Sequence, residues 1–498
     1  MPPAEEDETT PLIADEIAPE SRHPRGSRRA LTTIIAAFSL ILILSISSHI
    51  SDAPLTAILE DIVCEKYYAS HPDDGSEFFS DPESKCKIEP IQSEVAFING
   101  WKDTFEAAPG IILAVPYGAL ADRIGRKKVL ILSLIGLFLE DSWLRVVYWF
   151  SDLFPPKAVW FLGAWAIIGG GATTLTSIVF VLVADVCPAE QRTTAFSQMQ
   201  SAEMISQLVF IPLGAALMSV NKWLPMMISS ALMVLGILLA LAFLPETLPA
   251  KKKAEDEADL ITEREDMDDR SSPRQNGTHT ADGKSTAIKK AVAKVIGMIN
   301  THVVLTILAF LAVYLGEQVQ GPVFLQYVSK KLHWTIAKAS FFLSLRAGVN
   351  LAALAFVLPA FSSLLMKKMD EVSKDKRIAQ FAGIFLAFGS AVMALASTWG
   401  LMSVGQIFYA LGLVLPVPMR SLITGMVEQQ HLATLYTALS VTSYSGMVIG
   451  RPLFAVIFGW GLRIGGGWIG LPFIVASGCF AAALGAVTGV TLGSRIEI

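Results

Sequence analysis

The stretch Gly118-Ala119-Leu120-Ala121-Asp122-Arg123-Ile124-Gly125-Arg126-Lys127-Lys128 is a short turn with five charges, set between two long apolar runs. Runs of that length read as membrane helices. The Arg/Lys cluster then anchors the turn on the cytoplasmic side. Gly118 and Gly125 let the backbone turn sharply or pack closely. Asp122 is the odd member, because a carboxylate at a membrane boundary wants a cation or a helix N-terminus. Charge alone reads equally as a plain anchoring turn, but the full spacing G-x-x-x-D-R-x-G-R-K is far more specific.

Composition agrees with a polytopic membrane protein. The 498 residues are 53% hydrophobic and 17% charged, with a mean hydropathy of +0.52. Soluble domains carry about 25% charge. Seven histidines and four cysteines show no metal-ligand spacing, so no metal or cofactor is expected. No G-x-x-x-x-G-K-[ST] loop occurs, which argues against ATP coupling within the chain. The first ~30 residues are polar and the first apolar run is too long for the core of a cleavable signal.

Residues 1–30 read as a disordered cytoplasmic tail. Glu8-Thr9-Thr10-Pro11-Leu12-Ile13 within it has the form of an acidic dileucine sorting signal, or is simply tail. Arg22, Arg25, Arg28 and Arg29 place this end inside. Six apolar spans follow, at about 31 to the fifties, 94–118, 128–150, 157–183, 194–218 and 222–244, giving a first bundle over 31–245. An acidic stretch from Glu60 to Glu94 reads as the loop after the first span. It holds Cys64 and Cys86, either a disulfide or two free thiols. Residues 246–297, with Lys251–Lys253, an acidic run and then Ser, Pro, Asn and Gly, read as a cytoplasmic linker. The sequon at Asn276 therefore falls on the wrong side for glycosylation. A second bundle, 298–498, holds spans at about 299–326, 336–364, 378–397, 401–426, 433–459 and 468–492. Each has the ~20 residues that crossing ~30 Å requires. Twelve spans put both termini in the cytoplasm. Glu190–Phe196 before span 5 and Gln429–Leu435 before span 11 form a faint repeat, as two parallel six-helix halves would give.

An ionisable group inside a membrane helix is costly and usually faces a cavity or a partner. Such groups here are Asp52, Glu140, Asp141, Arg145 and Glu203 in the first half, and Glu317, Arg346, Arg420 and Arg451 in the second. Asp141 and Arg145, spaced i,i+4, read best as a structural pair. Arg420 lies near the inner end, where it can snorkel. Arg346 sits ~15 Å into its helix by helical rise and needs a carboxylate, carbonyls or an anionic ligand. Glu317, with Gln318 and Gln320, is deep in an apolar run. Glu317 and Asp52 are the candidates for carrying a proton, or else are structural hydrogen-bonded acids. Gly446-x-x-x-Gly450 and Gly485-x-x-x-Gly489 read as helix-packing motifs, and Trp149 and Trp160 as interface anchors.

The charged turn resembles the loop between helices 2 and 3 of the major facilitator superfamily, and Pro245-Glu246-Thr247 after span 6 resembles many of its members. Leu325–Lys331 and Ser344–Val349 look like fungal twelve-helix transporters of drugs or secondary metabolites. The resemblance implies an all-α fold of two six-helix bundles rocking about a central site. It implies a gating motif of Gly118, Asp122, Arg123, Gly125, Arg126 and Lys127, with Asp122 and Arg123 latching the inner side near His431. It implies a monomer in the lipid bilayer, in the plasma or vacuolar membrane, that moves a small molecule with protons and binds no nucleic acid. Drug/proton antiporters usually carry an arginine about four residues before the Gly-x-Gly of helix 4. Here Trp165 stands in that place, and the helix 5 Gly-Pro motif is reduced to Ile211-Pro212-Leu213-Gly214. Efflux is the first reading. Import of a nutrient and a non-transporting sensor are the alternatives, and no catalytic constellation supports an enzyme.

Overall fold

The computed structural model describes residues 24–72, 85–187, 189–246, 301–367, 369–424 and 432–489. The dileucine-like segment, the residue 246–297 linker beyond Glu246, Asn276 and His431 lie outside them. In chain order the helices are α1 (Pro24–Ser70), α2 (Glu89–Ile124), α3 (Arg126–Trp149), α4, α5 (Ala189–Val220) and α6 (Trp223–Phe243). The second half holds α7, α8, α9 (Glu371–Leu395), α10, α11 (Leu432–Ile464) and α12 (Leu471–Gly489). Glu190–Phe196 stands at the start of α5, and the described part of the second segment, Leu432–Leu435, opens α11.

Eleven helices among the described residues are long and apolar enough to cross a membrane. The one missing from the twelve expected spans is α3. It has 24 residues, enough to cross, but carries Glu140, Asp141 and Arg145 in its second half. Of these, Asp141 and Arg145 pair with each other and Arg145 also reaches the Met226 carbonyl on α6, while Glu140 faces the cavity between the halves.

Two expected boundaries are corrected. The first span does not stop in the fifties, since α1 runs to Ser70 and takes in much of the supposed acidic loop. Three of its charges are met by other elements: Glu60 pairs with Lys87 at 2.5 Å, Asp61 with Lys222 at 2.6 Å, and Lys66 donates to the Phe154 carbonyl at 2.9 Å. Cys64, on this extension, is disulfide-bonded to Cys86. Span 7, α7, likewise does not end at 326. It runs as Thr301–Glu317, a tight turn at Gln318–Gln320, then Pro322–Leu332.

Three further spans are interrupted. α4 consists of a 3-10 turn Pro156–Phe161, a short helix Leu162–Ala166 and a longer one Gly171–Val186. The break is Gly169-Gly170-Gly171, all three with positive φ, a region L side chains rarely adopt. α8 runs Ile336–Ala352 and Leu358–Met366 through a π-helical turn at Ala353–Val357. α10 runs Trp399–Gly412 and Pro416–Thr424.

In the first half α1 packs on α5 and α6, and α3 on α4 and α6. In the second, α9 packs on α10 and α12, and α7 on α11 and α12. The halves meet along two seams, α2 against α11 and α5 against α8. The second half has one aromatic core, with Phe310, Phe324, Tyr327, Tyr409, Phe454, Phe473 and Phe480 fully buried. The first half has two cores: one around Leu40, Leu134, Val179 and Leu182, another around Leu59, Ile91, Val159 and Met226. On α1 the gap between them contains His49 and Asp52. Gly446 and Gly450 pack on α7 as expected: β-carbons there would lie 2.8 Å from Tyr314 and 2.6 Å from Gln318. Gly485 and Gly489 correct their expectation, since each faces open space. Trp160 is no simple anchor either, because its indole N–H donates to the Ile98 carbonyl at 3.1 Å.

Candidate functional site

The charged turn is built by three helices. α2 ends at Ile124 and α3 begins at Arg126, with Gly125 between them at φ 113°. The free backbone N–H groups of the new helix go to Glu246 of the Pro-Glu-Thr motif. Arg126 N donates to Oε1 at 3.0 Å and Lys127 N to Oε2 at 3.3 Å. Two sequence signals that look independent are thus one contact. Glu246, rather than Asp122, takes the helix N-terminus, where the backbone dipole favours an anion. Arg126 pairs with Asp185 at the end of α4 and lies 3.5 Å from Asp122, while Lys127 Nζ donates to the Leu241 carbonyl at 2.8 Å. Arg123 is exposed. Glu246→Ala is expected to cost about 1 kcal/mol, the worth of a helix cap, and to lower the thermal midpoint without abolishing folding. A midpoint equal to wild type refutes the cap.

A cavity of about 800 Å³ lies between the halves. Toward the disulfide side it is shut by contacts that cross the seam. Lys330 donates to the Lys87 carbonyl, Gln326 to the Gln92 carbonyl at 3.4 Å, and Arg463 reaches Glu89 at 3.3 Å. Deeper in, α2 and α11 touch closely: a β-carbon on Gly100 would sit 2.9 Å from Ala455, and Thr104 donates to the Val448 carbonyl at 3.0 Å. The helical stripe through Gly100 and Thr104 continues to Val115 and Gly118. There it is unpacked, with Val115 80% exposed and nothing within 4 Å of a Gly118 β-carbon. The halves therefore close on the disulfide side and part on the side of the charged turn.

Of the expected residues, Asp52, Glu140, Asp141, Glu203, Glu317, Gln318, Arg346 and Arg451 line this cavity, and Arg145 and Arg420 do not. Arg145 pairs with Asp141 and donates to the Met226 carbonyl on α6 at 3.0 Å from Nη2. Arg420 donates to the Tyr314 hydroxyl at 2.9 Å. Each has a protein partner in place.

Three groups of polar side chains face the cavity. On α1 and α5, His49 bridges Asp52 at 3.2 Å and Glu203 at 2.8 Å, and Ser45 donates to Glu203. Across the seam, Asp103 of α2 is held by Lys102 at 2.7 Å and Arg451 at 2.6 Å. Arg451 also donates to Gln318 at 3.2 Å, and Lys102 reaches Glu106 at 3.4 Å. On α7 and α8, Glu317 lies within the field of Arg346. Among the described residues the Arg346 guanidinium has one long hydrogen bond, 3.5 Å to the Gln320 carbonyl. His49, Lys102, Asp103 and Glu106 escape the sequence reading, although all four are ionisable groups within apolar spans.

These carboxylates are spaced helix by helix for ion pairs, not around one point. No group of three or more His, Cys, Asp or Glu among the described residues is placed to hold a metal. The cavity contains both signs of charge, opens on one side and is shut on the other, which is the geometry of a carrier caught in one of two states.

Known proteins agree. Residues 94–311 match the family model described as Major Facilitator Superfamily. The chain is 40% identical over 459 residues to the efflux pump ustT of Aspergillus flavus, covering 91% of this chain and 87% of that one. It is 31% identical over 498 residues to the MFS efflux pump atnC of Emericella nidulans, covering 98% and 93%. A D-xylose-proton symporter crystal structure shares the fold at a TM-score of 0.58 and 14% identity, over 94% of this chain and 99% of that one. With 40% identity to one member across 91% of its length, the chain belongs to the major facilitator superfamily and is a transmembrane transporter of small molecules.

Proposed function

We propose that this transporter expels a small organic molecule and that protons drive it. The observation that carries the reading is the cavity. It is open on the side of the basic turn, which the positive-inside rule assigns to the cytoplasm, and it exposes acids in two separate settings. Asp52 and Glu203 share His49 on one half, and Glu317 lies within the field of Arg346 on the other. A proton that neutralises either acid alters its balance with those partners, and each state of the carrier offers different partners. Protonation therefore shifts the equilibrium between states. Arg346, with spare donors, anchors an acidic or carbonyl group of the substrate. Both fungal relatives are efflux pumps, which supports export. The plasma membrane and the vacuolar membrane both suit such a carrier, working as a monomer.

The test is reconstitution into proteoliposomes with an imposed pH gradient, screened against a mixed metabolite library. Movement of a compound that collapses with a protonophore, in the direction opposite to the protons, is expected. Glu317→Gln and Asp52→Asn should each strip the pH dependence from that movement. Movement along with the protons replaces export by import. Movement indifferent to the gradient, or unaltered in both variants, removes the acids from the mechanism.

A further inference from the structure

We propose that the wall of the cavity where α2, α3 and α4 meet is a subsite for the ammonium group of a cationic substrate, with Glu140 and Glu106 as its acceptors. The proposal rests on the carrier reading above and deepens it by naming a substrate class, primary and secondary amines.

Glu140 lies ~21 Å along α3 by helical rise. It lines the cavity, yet only 7% of it is exposed, and its Oε1 has no hydrogen-bond partner among the described residues. The surrounding charges are already committed. Lys102 serves Asp103 and Glu106, Arg451 serves Asp103 and Gln318, and Arg145 serves Asp141 and the Met226 carbonyl. Four carboxylates, Asp103, Glu106, Glu140 and Asp141, thus face three cations, and Glu140 is the one in no ion pair among the described residues. Leaving a buried carboxylate uncompensated is expensive, so Glu140 has a place for one more positive charge, a proton or a cation in its stead.

There is room for that charge beside Glu140. Gly110 lines the cavity and Gly171 lies just behind it, where neither carries a side chain. A β-carbon at Gly171 would still stand 3.9 Å from the Gly110 Cα and 4.0 Å from Glu140 Oε1. The break in α4 is what brings Gly171 to this point. Glu106, 48% exposed, adds a second acceptor whose ion-pair partner Lys102 is shared with Asp103. An ammonium group seated here donates an N–H to the empty Oε1 and takes the place of the proton as the balancing charge. A neutral substrate does neither.

The probe is dansylcadaverine, a fluorescent primary amine, compared with its N-acetyl derivative, which keeps the fluorophore and loses the charge. Purified full-length protein should bind the amine at least tenfold more tightly. Glu140→Gln should bring the ratio to within about twofold, and Glu106→Gln should lower it about threefold. Equal binding of the two probes by wild type, or an undiminished ratio in Glu140→Gln, overturns the proposal. Glu140→Gln that keeps the amine preference but loses gradient-driven movement of every compound makes Glu140 a proton site instead, which also overturns it. If Glu140→Gln fails to give a cooperative melt, Glu106→Gln decides: an unchanged ratio there rejects the subsite. Amine preference in a protein that moves nothing in proteoliposomes rejects the carrier reading and leaves the subsite standing.

Discussion

Arg451→Gln is expected to destabilise the protein by about 3 kcal/mol and to loosen the closed seam on the disulfide side. Asp103 is 5% exposed and rests between Arg451 of the other half and its neighbour Lys102. Breaking a buried pair by deleting one member costs ~3–5 kcal/mol, because the other charge stays behind. Lys102, at 2.7 Å, keeps part of the compensation, which places this variant at the low end. The pair is also a tie between halves, and it lies on the seam that is closed here. About 3 kcal/mol corresponds to a roughly hundredfold change in an equilibrium, so the variant should favour the state in which this seam opens. Two readouts check it: the thermal midpoint, and the rate at which an impermeant maleimide labels a Ser93→Cys reporter. Ser93 lies against Gly459 on the same seam. Asp103→Asn combined with Arg451→Gln should recover part of the stability, since no lone charge remains, while labelling stays fast. A single variant that melts and labels like wild type removes the tie.

That tie shows where the sequence stops being legible. The spans themselves are legible because ~20 apolar residues between charged turns have few other meanings. The ionisable residues within them are legible by cost, and Asp52, Glu140, Glu203, Glu317, Arg346 and Arg451 do line one cavity. The same rule covers His49, Lys102, Asp103 and Glu106. What no single-helix pattern carries is which charge meets which: Asp103 and Arg451 are hundreds of residues apart. Arg145 was legible as the partner of Asp141 because i,i+4 spacing is local. The true end of α1 was not, because Glu60, Asp61 and Lys66 look like a loop until Lys87, Lys222 and the Phe154 carbonyl meet them. Hydropathy is equally blind to the interruption of α4, since it scores glycine by polarity and not by the φ values it permits.

Gly169→Ala is expected to cost about 3–5 kcal/mol, and Gly171→Ala only about 1 kcal/mol, although both glycines belong to one triplet and both have positive φ. The φ values are 85° and 65°, and a β-carbon in this region costs ~1–2 kcal/mol in either case. Their surroundings differ. A β-carbon on Gly169 falls 2.4 Å from the backbone N and Cα of Ser133 on α3, neither of which can rotate away. Relief requires α4 and α3 to move apart, and overpacking of that kind adds ~1–3 kcal/mol. Moving them also strains the 2.5 Å bond from the Ser133 hydroxyl to the Gly169 carbonyl. At Gly171 the nearest atoms to a β-carbon are at 3.7 Å and beyond, ordinary contact, so only the backbone term remains. Gly136→Ala tests the same interface from α3, where the new carbon would meet the Ile168 carbonyl oxygen at 1.9 Å, and should behave like Gly169→Ala. Expression level and thermal midpoint in detergent rank the three variants. If Gly169→Ala and Gly171→Ala fall together, backbone conformation alone sets the cost and the close approach of α3 and α4 does not; if Gly136→Ala falls with Gly169→Ala, the break in α4 is held open by α3.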